Sequence, residues 1–143
     1  MQPIERIVQS IAKIEPHLFL GSCYSLTPEI LQEHNITHIF HLGVEIPVAT
    51  FESDYFRQSC KNEYFELEDN SHNVNEMMQI GDYICQKIKT LMEKATIENI
   101  LVCCLMGRSR SASMIALYLH SKYPELSYEE IINNRIKPFK KPL

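Results

Sequence analysis

The sequence predicts an α/β domain: a central, mostly parallel sheet of about four to five strands flanked by helices. Three observations lead there. Short β-branched or aromatic runs alternate with longer stretches of helical periodicity. Residues 99–104 (NILVCC) form a nearly unbroken apolar run, as a central strand buried on both faces requires. The 143 residues contain only four glycines and no repeat or low-complexity tract, which fits a single domain over residues 1–143.

The elements follow in order. Ile4, Ile7, Val8, Ile11 and Ile14 have helical spacing, so an amphipathic helix is expected to open the chain. Residues 17–21 (HLFLG) read as a strand. Thr27, Pro28 and Glu29 mark a helix start: a capping hydroxyl, a proline in the first turn and an acid at the positive end of the dipole. That helix is expected to run to about His34. Residues 36–42 (ITHIFHL) predict the next strand. After Pro47 a short helix is expected over residues 51–56, then a strand over 64–68 (YFELE). Met77, Gly81, Ile84, Ile88 and Leu91 give one helical stripe within residues 74–94. A helix is expected from Arg110 with Ala112, Ile115, Ala116 and Leu119 inward. Ser127 to Glu130 has capping-box spacing and opens a last helix to about Ile136.

Charge and composition exclude little but point one way. The net charge of −4 gives no reason to expect a nucleic-acid partner or an anionic membrane surface. No apolar run approaches the roughly 20 residues that span a bilayer. The N-terminal residues lack a signal-peptide pattern, so a reducing, cytoplasmic location is expected, with access to the nucleus open. The five cysteines, Cys23, Cys60, Cys85, Cys103 and Cys104, are odd in number and irregularly spaced, unlike a disulfide framework or a zinc site. Cys23 and Cys85 read as small buried hydrophobes.

The chemistry concentrates where the buried run enters a tight loop: Cys103-Cys104-Leu105-Met106-Gly107-Arg108-Ser109-Arg110-Ser111. Ligands of open α/β sheets bind at the carboxyl ends of strands. A helix N-terminus offers unpaired N–H groups and partial positive charge to an anion. A curled loop can aim successive amides inward, and Gly107 allows the backbone to approach closely. In such a setting Cys104 is favoured as a thiolate nucleophile. Arg110 offers a planar fork for two phosphate oxygens, and Ser111 can hydrogen-bond the sulfur. Chance alone would give this pattern on one of the cysteines with odds on the order of one in several hundred.

The C-x5-R spacing, with glycine third in the loop and serine after the arginine, resembles the signature of the cysteine-based protein tyrosine phosphatases, and most closely the dual-specificity phosphatases. Residues 14–22, 36–42, 64–70 and 108–118 agree with that group, so the likeness covers most of the chain. The resemblance implies a protein tyrosine phosphatase-like fold and a metal-free, cofactor-free mechanism. It implies phosphorylated protein substrates, with phosphate bound by residues Leu105, Met106, Gly107, Arg108, Ser109 and Arg110. It also implies an acid after the preceding parallel strand, which is met by Asp69, with Glu68 as the alternative because Asn73 follows it at the family spacing. His72 is a third candidate donor.

Three readings compete with a protein phosphatase. One is a catalytically weak phosphate-binding module. Another is the same chemistry on a phosphoinositide, phosphoglycan or RNA phosphate; the signature loop has no lysine to favour an inositide. The third is a sulfurtransferase, which the arginine-closed loop fits less well. Arg108 either sits at the pocket rim or simply faces solvent. The family usually has His directly before its nucleophile; here that place is Cys103, a much weaker donor, from which a less acidic Cys104 follows. A disulfide between Cys104 and the adjacent Cys103 is disfavoured because successive strand residues face opposite ways, and one to a remote thiol such as Cys60 is left open, since spacing alone does not place it.

Overall fold

A computed structural model describes residues 11–43, 45–67, 74–104 and 110–136. A five-stranded sheet forms its centre: β1 (Ile11–Glu15), β2 (Leu18–Gly21), β3 (His38–Leu42), β4 (Lys61–Phe65) and β5 (Ile100–Cys104). The spatial order is β1-β2-β5-β3-β4. Only β1 runs antiparallel, paired with β2; the other pairs are parallel. The helices are α1 (Pro28–Glu33), α2 (Val48–Phe51), α3 (Asp54–Ser59), α4 (Val74–Met92), α5 (Arg110–Lys122) and α6 (Tyr128–Ile131), the last continued by a π turn, Ile132–Ile136. None of the described helices is long and apolar enough to cross a membrane.

Strand β5 is buried along its whole length, as its apolar run requires. Its alternating side chains serve two cores. Ile100, Val102 and Cys104 join the side covered by α4, α5 and α6, with Ile84, Ile88, Leu91, Ile115 and Leu119. Leu101 and Cys103 join the other, with Leu31 and Phe56 from α1 and α3. Met77 and Ala112 are only partly buried against the first core. Helix starts match their sequence cues. Thr27 Oγ1 accepts from Ile30 N–H at 3.2 Å, and Ser127 and Glu130 close a reciprocal capping box.

Three expectations are corrected. Residues 11–14 do not continue a helix; they form β1, a hairpin partner of β2. Ala12 and Ile14 are buried while Lys13 between them is exposed, so the operative period is two. Residues 4–8 of that expected helix lie outside the described residues. The helix expected over 51–56 is two short helices, separated at Ser53, whose Oγ caps α3 by accepting from Phe56 N–H. The strand expected over 64–68 lies earlier, at Lys61–Phe65. Its partner β3 ends at Leu42, and Gly43 (φ +66°) turns the chain away after one last tie, its N–H donating to Phe65 O. Glu66 and Leu67 are thereby released from the ladder.

All four parallel strands finish at one edge of the sheet, in register: Gly21 beside Cys103, Cys103 beside His41, and His41 beside Tyr64. The segments that follow these strands therefore share that edge.

Candidate active site

Cys104 is the last residue of β5 and is almost fully buried. Its Sγ lies 3.1 Å from Ser111 Oγ, and the Ser111 N–H points at the same sulfur at 3.5 Å. Both contacts come from the first turn of α5, so the sulfur lies at the positive end of a 13-residue helix. Arg110 opens that helix and is 8% exposed. Its Nη1 donates to the Leu67 carbonyl oxygen at 2.6 Å, while its Nε is buried with no partner among the described residues. Gly43 makes the close approach feasible: a Cβ there would come within 2.6 Å of Arg110 Nη1 and 2.7 Å of Leu67 O.

Of the sequence-predicted site, Cys104, Arg110 and Ser111 are brought together at the strand-to-helix junction. Leu105, Met106, Gly107, Arg108 and Ser109 lie outside the described residues, as do Glu68, Asp69, His72 and Asn73. The segment leading to Asp69 is nonetheless defined as far as Leu67, which touches Arg110.

The family model for the dual-specificity phosphatase catalytic domain matches residues 18–134. The chain belongs to this family. A probable dual specificity protein phosphatase of Dictyostelium discoideum is 31% identical over 120 residues, which are 83% of this chain and 50% of that protein. The chain thus spans about half the length of the curated relative it matches. Among solved structures, human DUSP28 superposes with a TM-score of 0.71 at 19% identity, covering 92% of this chain and 81% of its own. The human tyrosine phosphatase-like serine/threonine/tyrosine-interacting protein gives a TM-score of 0.66 at 20% identity, covering 91% and 83%. At these identities the superpositions show a shared dual-specificity phosphatase fold.

The remaining cysteines of this family member divide by position. Cys60 precedes β4 and so lies at the opposite sheet edge from Cys104, where its S–H donates to Ile36 O at 3.2 Å. Five residues of strand separate the two edges, about 16 Å, so Cys60 is not a redox partner for Cys104. Burial pushes its thiol up to about 11, as it does that of Cys85. Cys23 is only partly buried, in a 3₁₀ turn directly after β2, at the Cys104 edge. Burial raises its thiol, and the nearby charge of Cys104 adds to the rise. Reading Cys23 as a plain hydrophobe missed this placement.

Cys103 and Cys104 point into different cores. The Cys103 Sγ lies 3.8 Å from His41 Nδ1, and burial raises its thiol strongly. Burial drives His41 the other way, to about 4, against the Asn62 hydrogen bond that opposes the fall. Sequence reasoning treated His41 as one residue of a strand. The missed signal was a titratable side chain inside an otherwise apolar run, ITHIFHL.

Proposed function

We propose that this domain hydrolyses phosphotyrosine and phosphoserine/phosphothreonine in proteins through a phosphocysteine on Cys104. The observation that carries the reading is the junction itself: one sulfur held by the Ser111 hydroxyl and amide, followed in the chain by a buried guanidinium whose Nε has no partner among the described residues. A buried cation with a spare N–H calls for an anion, because an unmade hydrogen bond to a charged group is costly.

In the first step the Cys104 thiolate attacks phosphorus, the S–P bond forms and the P–O bond to the substrate breaks. Arg110 and the amides of residues 105–109 bind the equatorial oxygens as charge spreads over them. The acid, Asp69, gives its proton to the leaving oxygen. In the second step water attacks phosphorus, Asp69 takes its proton, and the S–P bond breaks to release phosphate and thiolate. Ser111 donates to the departing sulfur. The parallel run of β4 and β5 to one sheet edge, and the reach of Leu67 to Arg110, support an acid from the segment after Leu67.

The test is hydrolysis of a small aryl phosphate and of matched phosphotyrosine, phosphoserine and phosphothreonine peptides, with Cys104→Ser as control. Turnover of the peptides, lost in the variant, is the expected result. Binding of phosphopeptide without turnover by the wild-type chain would make the domain a phosphate-binding module instead.

A further inference from the structure

The family resemblance leads one to expect an imidazole at position 103, and the structure holds one on the neighbouring strand. His41 of β3 lies directly across from Cys103 of β5 and is 1% exposed. Its Nε2 is 2.8 Å from Asn62 Oδ1 on β4. The Asn62 Nδ2 donates to Cys60 O at 3.2 Å, which leaves its oxygen facing the ring. An amide oxygen only accepts, so the ring proton sits on Nε2. The neutral ring then presents Nδ1 as an acceptor, and the Cys103 thiol is the donor that meets it at 3.8 Å. Tyr64 of β4 stacks on the ring at 4.7 Å between centroids, and Phe56 of α3 meets its edge. Tyr64 and Cys103 are the titratable groups facing it from the two adjoining strands.

The result is a polar chain, Cys103 to His41 to Asn62 to Cys60 O, that crosses three parallel strands through an otherwise apolar layer. It lies one residue before the level at which Leu42 pairs with Cys104. A buried polar chain of this kind holds its members in one arrangement, since slippage would leave donors unmet. The geometry points to His41, acting through Cys103, as the positioning residue that holds the end of β5 so that the Cys104 sulfur meets Ser111 and the head of α5. The imidazole comes from β3, and it reaches the end of β5 through the side chain at position 103. The kinetic part of this inference rests on the phosphatase reading; the positioning part does not.

The experiment compares wild type, His41→Asn, Cys103→Ala and the double variant. The first readout is the pH–rate profile of Cys104 alkylation by iodoacetamide, followed by peptide mass and needing no turnover. The second is kcat and KM on an aryl phosphate. Each single variant is expected to raise the apparent Cys104 pKa by about one unit and to lower kcat about tenfold, with KM within about twofold. The double variant is expected to match the singles, because both cut one chain. Cys103→Ala removes little volume and keeps the test alive if His41→Asn does not fold. An unchanged alkylation profile in the folded variants, or fully additive losses in the double, overturns the inference and leaves both side chains as packing. A wild type without turnover would count against the phosphatase reading alone, since the alkylation profile still judges His41.

Discussion

The guanidinium of Arg110 donates through Nη1 to the backbone oxygen of Leu67 at 2.6 Å, joining the start of α5 to the segment that leaves β4. The two residues are far apart in sequence, and their meeting depends on a third, Gly43, whose left-handed backbone leaves no room for a side chain between them. The contact uses one edge of the guanidinium, and the buried Nε has no partner among the described residues. On the proposed function, an arginine held this way is oriented before phosphate arrives, which lowers the ordering cost of binding.

Gly43→Ala tests that orientation. The left-handed backbone alone costs about 1–2 kcal/mol with a Cβ present, and the new methyl would push on both Arg110 and Leu67. The expected outcome is a fall in kcat/KM of at least about tenfold, with KM raised as phosphate binding loosens. Steady-state kinetics beside a thermal melt would check it; a melting shift with intact kcat/KM would refute the orienting role.

Ser111→Ala removes the hydroxyl that lies 3.1 Å from the Cys104 sulfur. A hydrogen bond to a charged group is worth about 1.5–3 kcal/mol, so the sulfur's departure should slow by about ten- to a hundredfold. Because the second step suffers most, a burst of the aryl alcohol should precede slow turnover in stopped-flow traces.

Asp69→Asn removes the expected proton donor. Loss of general acid catalysis costs about 10²–10⁴-fold, so hydrolysis of phosphoserine or phosphotyrosine peptides should fall by that order. Aryl phosphates with strongly acidic leaving groups need no proton and should show a smaller loss in the first step. If Glu68→Gln shows this leaving-group dependence and Asp69→Asn does not, Glu68 holds the role.

How far the site could be read in advance depended on how local its signals were. The junction of β5 with α5 was legible because β5 is buried on both faces, which makes a continuous apolar run, and because Cys104 ends that run shortly before Arg110 and Ser111. β1 was not, because Ile11 and Ile14 stand at helical i, i+3 spacing, while the strand's inward pair, Ala12 and Ile14, offers only two positions of period two; the hairpin with β2 decided between them. The end of β4 is set by its partner β3 and by Gly43, not by its own residues. The pairing of Arg110 with Leu67, and of Cys103 with His41, depends on strand order, which no single segment encodes.

Acid should weaken the fold through His41. Burial holds its folded value near 4 against about 6.5 for an exposed imidazole. Between those values the unfolded chain binds the extra proton, so stability is full above about pH 6.5 and is lost as pH falls toward 4. Melting temperatures from pH 7.5 down to 4.5 should drop, and His41→Asn should flatten part of that slope. An identical slope in the variant would show that other groups carry the acid sensitivity.

The most direct measurement is the covalent intermediate. Rapid acid quench of the wild-type chain during turnover of a phosphotyrosine peptide, followed by peptide mass mapping, should find one phosphoryl group on the Cys104 sulfur and none in the Cys104→Ser variant. Steady turnover with no phosphoryl group on that sulfur, or turnover that survives Cys104→Ser, would contradict the account.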